Sequence, residues 1–303
     1  MSLRPVIETR KATPTLEGAG VKLHRAFGFG DPTELDPFLL FDDFRNDRPQ
    51  DYLQGFPWHP HRGIETITYV LAGTVEHSDS LGNTGRLGAG DVQWMTAGSG
   101  ILHQEMPQGD ARGRMHGFQL WGNLPARDKM CAPRYQDVGR ADIPEITDDD
   151  GTCVRVIVGA WHGHKGPVDG IAADPQYLDV SVPPGRRKTL RVDTYRRAFA
   201  YVFEGAGAFA DASAPTGVLL EKEIAGAEVH IRDLSGNRTL IRFGTGDEVT
   251  VQAGPEGVRF LLISGAPIAE PVAWHGPIVM NTQAEIRQAM RDLNNGSFIR
   301  PPG

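Results

Sequence analysis

Cysteine is nearly absent from this chain: Cys131 and Cys153 are the only two among 303 residues, and they lie in dissimilar surroundings. Two thiols build neither a disulfide framework nor a thiolate zinc motif, and a reducing compartment is the expectation. Long apolar runs are missing as well. Met1-Ser2-Leu3-Arg4-Pro5-Val6 opens no stretch of signal-peptide length, and no other segment approaches a membrane span, so the cytoplasm is the expected location. Positive charge is not concentrated anywhere either. The formal charge of -7 is spread along the chain without a basic block, which removes the electrostatic term on which phosphate-backbone binding depends. Direct nucleic-acid binding is not expected.

Glycine and proline, by contrast, are plentiful, at 37 and 22 residues, and they punctuate short runs of period-two alternation such as Ile64-Glu65-Thr66-Ile67-Thr68-Tyr69-Val70-Leu71. That pattern predicts an all-β protein of sandwich or barrel type. The length suits two domains of roughly 150 residues, and the sequence repeats itself accordingly. Tyr69-Val70-Leu71-Ala72-Gly73 returns as Tyr201-Val202-Phe203-Glu204-Gly205, and Gly88-Ala89-Gly90-Asp91 with Ala97-Gly98 returns as Gly244-Thr245-Gly246-Asp247 with Ala253-Gly254. The two matches differ in spacing, which implies extra residues around Phe209 to Glu223. The acidic, turn-rich stretch Pro144 to Gly151 is the predicted boundary, giving domains at residues 1–143 and 152–303. Near the C-terminus, Thr282 and Glu285 have capping-box spacing, Ile286, Ala289, Met290 and Leu293 recur at helical intervals, and Asn294-Asn295-Gly296 ends them. A single short helix packed on a barrel is predicted there.

The chemistry concentrates in the first half. Trp58-His59-Pro60-His61 places two imidazoles at i and i+2, on one face of an extended chain, and strand parity continues that face through Glu65, Ile67, Tyr69 and Leu71. His103-Gln104-Glu105 repeats the device with a histidine and a carboxylate. Two strands thus bring donors to one centre. Three neutral imidazoles and a carboxylate suit a first-row divalent ion such as iron(II), with nickel, cobalt, copper, manganese and zinc as alternatives. Four protein ligands leave open positions, the arrangement of a reactive rather than a structural site. Parity alone leaves Glu65 in competition with Glu105 for the carboxylate position; Glu65 has the further options of pairing with Arg62 or orienting a histidine. His162-Gly163-His164 sits in a glycine-rich turn without a carboxylate partner, His116 reads as a strand residue near the site, and His24, His77, His230 and His275 read as ordinary. Carried through the repeat, His59, His61 and Glu65 fall on Arg191, Asp193 and Arg197, while His103 and Glu105 fall on Arg259 and Leu261. The second barrel is therefore expected to lack a metal.

Gly55-Phe56-Pro57-Trp58-His59-Pro60-His61-Arg62-Gly63-Ile64-Glu65-Thr66 and Gln93-Trp94-Met95-Thr96-Ala97-Gly98-Ser99-Gly100-Ile101-Leu102-His103-Gln104-Glu105-Met106-Pro107 resemble the signature segments of the pirin family of bicupins. Asp36-Pro37-Phe38-Leu39-Leu40-Phe41-Asp42-Asp43-Phe44, Gln119-Leu120-Trp121 and Gly276-Pro277-Ile278-Val279-Met280-Asn281-Thr282 extend the likeness over nearly the whole chain. The resemblance implies two cupin-type β-barrels with one iron-type centre in the N-terminal barrel, held by His59, His61, His103 and Glu105 and not by Glu65. It also implies two functions. The first is a dioxygenase of quercetin 2,3-dioxygenase type, in which a small planar aromatic substrate sits beside Phe56, Met95 and Met106, Glu105 takes its proton, and O2 opens the ring with release of carbon monoxide. The second is a regulatory module that binds another protein according to the metal's oxidation state. A monomer is the expected form.

Overall fold

A computed structural model of the chain describes residues 2–209 and 234–300. The fold is all-β, two cupin-type barrels with one C-terminal helix, and the chain divides into two compact units. Their makeup departs from the expected ranges at both chain ends. Residues Ala12–Ile143, Gly166–Pro175 and Gly265–Gly303 form one unit, here the first barrel; Met1–Lys11, Pro144–Lys165 and Gln176–Ser264 form the second. The physical reasons are local. Strand Val6–Lys11 pairs antiparallel with Thr239–Phe243, covering what would otherwise be an open sheet edge in the second barrel. The helix Gln283–Asn295 has an apolar stripe, and Ile286 and Ala289 bury it against Ala273, Ile278, Met280 and Phe298 of the first unit.

That helix begins as its sequence predicts. The Thr282 side chain accepts from the Glu285 backbone N–H while Glu285 Oε2 accepts from the Thr282 N–H at 2.8 Å, and Gly296 closes the helix in the left-handed region at φ 72°. Two buried cations tie the C-terminal segment to the strands that carry the histidines. Arg62 donates to the Ser99 carbonyl (2.6 Å), to Asp292 Oδ2 (2.6 Å) and to the Phe298 carbonyl (3.0 Å). Lys129 Nζ donates to Asn123 Oδ1 (2.6 Å) and to the carbonyls of Gly63 (2.8 Å) and Val279 (2.9 Å).

In the first barrel a seven-stranded sheet runs in the order Arg134–Val138, Val92–Thr96, Ile64–Ala72, His116–Asn123, Phe38–Asp43, Val21–Phe27, Thr13–Glu17. A four-stranded sheet runs Phe56–His61, Ile101–Gln108, Thr74–Asp79, Thr84–Leu87. The second barrel is filled with hydrocarbon: Val156, Leu178, Leu190, Val202, Val249 and Phe260 are among its fully buried core. Its strand pairing corrects the register of the repeat. Ile64–Ala72 pairs with Val92–Thr96 as Arg197–Ala208 pairs with Thr239–Phe243, so the Gly-x-Gly-Asp turn recurs one strand later than the sequence match implied. The segment facing Arg187–Arg191 is Glu248–Gln252, so the strand that corresponds to the one bearing His103 and Glu105 turns Val249 and Val251 to the core, and Arg259 and Leu261 lie beyond it. Hydrocarbon there holds no cation. Of the expected insertion, Phe209 packs on Phe260 with ring centroids 5.2 Å apart, and the rest, like His230, lies outside the described residues. Among the described residues no helix is long and apolar enough to cross a membrane.

Candidate metal centre

Strand Phe56–His61 carries His59 and His61, and its antiparallel partner Ile101–Gln108 sets His103 directly opposite His59. The three imidazoles close on one another. His59 Nε2 lies 3.1 Å from His61 Nε2, the ring centroids of His59 and His103 are 4.3 Å apart, and a donor nitrogen from each ring lies within 4.8 Å of the others. Among the described residues this is the one group of three or more such side chains so placed. Burial pushes the His61 imidazolium well below its usual pKa, reinforced by its neighbours His103 and His59; burial likewise brings His103 down to about 4 against the pull of Glu105. Both rings are therefore neutral at physiological pH, with lone pairs to give. His103 is 1% exposed, yet neither of its ring nitrogens has a hydrogen-bond partner. Buried polar atoms are rarely left so, and a cation drawn to the convergence of the three imidazoles satisfies one nitrogen of that ring. The residues fit a metal.

Glu105 is buried on the strand that carries His103, two residues further on, and is not a member of the mutually close histidine group. Gln119 Nε2 donates to both of its carboxylate oxygens at 3.1 Å, and Thr68 Oγ1 donates to Oε1 at 3.2 Å. These donors belong to a polar row that crosses the seven-stranded sheet: Arg25, Asp42, Gln119, Thr68, Gln93 and Asp137 are successive cross-strand partners. Directly opposed residues share a face, so the row lies on the face that meets Glu105. At one end Arg25 grips Asp42 through two bonds of 2.8 and 2.7 Å, and burial raises the Asp42 carboxyl to about 6 despite them. At the other, Gln93 Nε2 reaches His77 Nε2 and Asp137 Oδ1, each at 2.8 Å. Reading the sequence missed this row. Its signal is present, a polar residue flanked by apolar ones in strands buried on both faces, as in Ile67-Thr68-Tyr69, Val92-Gln93-Trp94 and Phe118-Gln119-Leu120.

Glu65 lies elsewhere. The parity extrapolated from His61 fails at Gly63, whose φ of +77° turns the chain from the four-stranded sheet into the seven-stranded one. Thr68 consequently faces the cavity, and Glu65, an odd number of residues away, points to the other face, where Thr96 Oγ1 donates to it at 2.7 Å. Burial raises its carboxyl to about 7.

A cavity of about 470 Å³ opens over the cluster, within the size range of small-molecule sites. His59, His61, Glu105 and Gln119 are among its polar lining, with Glu17, Arg25, Asp42 and Thr68; Val21, Leu23, Phe44, Phe56, Val75, Met115 and Trp121 are among its apolar lining. Of the three residues expected beside a substrate, Phe56 lines this cavity, and Met95 and Met106 do not. Met106 alternates with the buried, inward Glu105 and so faces away from it, and Met95 packs in a hydrocarbon cluster with Ile101 and Trp121. Gly276 and Pro277 of the C-terminal segment complete the lining. The remaining histidines are apart: His116 bonds Asp47 at 2.6 Å, and His162 and His164 are exposed on a hairpin of the second barrel. His77, read as ordinary, instead is buried opposite Glu105.

Comparison with known proteins gives the same picture at the level of families. Residues 20–122 match the family described as Pirin, and residues 177–299 match the Pirin C-terminal cupin domain. A pirin-like protein of Caulobacter vibrioides is 44% identical over 299 residues, 98% of this chain and 100% of that one. Human pirin is 39% identical over 281 residues, 92% of this chain and 88% of its own. A crystal structure of quercetin 2,3-dioxygenase from Acinetobacter baumannii superposes with a TM-score of 0.83 at 31% identity, covering 98% of each chain.

Proposed function

The chain belongs to the pirin family, and from that premise we propose that it is a metal-dependent dioxygenase of quercetin 2,3-dioxygenase type, acting with O2 on a flavonol or a similar planar enolic substrate. One observation carries the reading: three imidazoles converge, and two of them, His59 and His61, line a largely apolar cavity together with the hydrogen-bonded carboxylate of Glu105. In this reading His59, His61 and His103 hold one divalent ion, iron(II) foremost, and Glu105 is the fourth donor. The 31% identity to a quercetin 2,3-dioxygenase over nearly the full chain supports the substrate class.

When bound, the ion supplies Lewis acidity, polarising the substrate's enolic oxygen and lowering its pKa. Glu105 accepts the proton that this releases. Gln119 and Thr68 keep the carboxylate aimed into the cavity with their three donor contacts. Val21, Leu23, Phe44 and Phe56 exclude water and take the flat face of the substrate. Overall, one flavonol and one O2 give the ring-opened ester and one carbon monoxide.

The test is anaerobic reconstitution with iron(II), nickel(II), cobalt(II), copper(II) or manganese(II), followed by quercetin and then oxygen. Carbon monoxide released in step with quercetin consumed is the expected result; none with any of the ions overturns the flavonol reading.

A further inference from the structure

The orientation of one amide decides what Glu105 can do. Gln119 can turn either its carbonyl or its NH2 toward the carboxylate, and only the NH2 attracts it. Trp121 settles the choice. Its indole N–H, which can only donate, points at Gln119 Oε1 from 3.2 Å, so the NH2 is left for the two Glu105 oxygens at 3.1 Å. Trp121 is itself held in place: its ring stands edge-on to His61 with centroids 5.2 Å apart at 88°, and it packs with Met95 and Ile101.

We propose that Trp121 and Gln119 are positioning residues that draw the Glu105 carboxylate out of the histidine cluster, so that it serves as a base at the expense of tighter metal binding. A carboxylate bound firmly to a cation has given its lone pairs away and is a poor proton acceptor. A carboxylate held by N–H and O–H donors must surrender part of those charge-assisted bonds before it can ligate. The relay Trp121 to Gln119 to Glu105 sets that balance, and both carboxylate oxygens are engaged by the Gln119 NH2, with Thr68 donating to one of them as well. The inference rests on the reading of the histidines as metal ligands.

The experiment measures affinity for nickel(II) alone at pH 8, by calorimetry and chelator competition, in the wild-type protein, Gln119→Met and Trp121→Phe. Methionine keeps the length and removes both N–H donors; phenylalanine keeps the ring packing and removes the indole N–H. Gln119→Met is expected to bind nickel(II) about tenfold more tightly, the equivalent of one charge-assisted hydrogen bond no longer competing, while losing carbon monoxide release. Trp121→Phe is expected to move the same way by a smaller factor. A purely structural role predicts weaker binding in both, and unchanged or weaker binding in Gln119→Met overturns the proposal. Should Gln119→Met fail to fold by circular dichroism, Trp121→Phe decides by the same criterion. Wild-type protein that does not bind nickel(II) overturns the metal reading and this inference together; wild-type binding without tightening in the variants overturns the inference alone.

Discussion

Replacing Glu65 by glutamine removes a carboxyl that is 3% exposed and whose pKa burial lifts from 4.5 to about 7. The unfolded chain releases this proton near its ordinary pKa, whereas the folded protein retains it until about pH 7. Stability from this group is therefore fully present below about pH 4.5 and is lost as the pH rises through 7. Linkage makes the loss roughly 3 kcal/mol, at about 1.4 kcal/mol for each pH unit between the two values. Glutamine has no proton to lose and keeps a carbonyl for the Thr96 hydroxyl, which donates to Glu65 at 2.7 Å. Urea denaturation of both proteins at intervals from pH 4.5 to 8 is the assay, with the variant-minus-wild-type difference cancelling every other titration. That difference should climb in the variant's favour by about 3 kcal/mol across the range and then level off. A difference independent of pH would refute the placement of Glu65 as a carboxyl whose burial outweighs its hydrogen bonds and the nearby Arg134.

Two further substitutions probe how the C-terminal segment is fastened to the strands of the site. Arg62→Met leaves Asp292 without its partner and the Ser99 and Phe298 carbonyls without a donor; thermal or urea unfolding should show a loss of about 3 kcal/mol. Gly63→Ala places a Cβ onto the Val279 carbonyl oxygen at a φ of +77°, and a destabilisation of at least about 2 kcal/mol with weakened metal binding is expected, measured by unfolding and by metal content.

The legible parts of the sequence were those set by local rules. Period-two alternation and turn residues gave the all-β fold, Thr282 and Glu285 gave the start of the helix, and His-x-His with His-x-Glu pointed to four side chains, of which the structure brings the three imidazoles together. What failed was extrapolation across a turn. Gly63 passes the chain between sheets, so the parity that put Glu65 beside His61 does not survive it, and only the family likeness had favoured Glu105 over it. The exchange of chain ends between the two units was equally hidden, since Val6–Lys11 pairs with a strand far away in sequence and the cluster that buries the helix also takes in the distant Leu102 and Met130. Met95 and Met106 were chosen as apolar neighbours in the chain, and that says nothing of which of them reaches the cavity. The polar row from Arg25 to Asp137 is a property of cross-strand register, which no single strand displays.

The central claim is that His59, His61 and His103 hold one divalent ion with Glu105 as the carboxylate. Metal content by mass spectrometry, after reconstitution and desalting, tests it in three proteins side by side. The wild type should retain about one ion per chain, His103→Ala should lose most of it, and Glu65→Ala should keep it. Loss in Glu65→Ala with retention in His103→Ala would contradict the account.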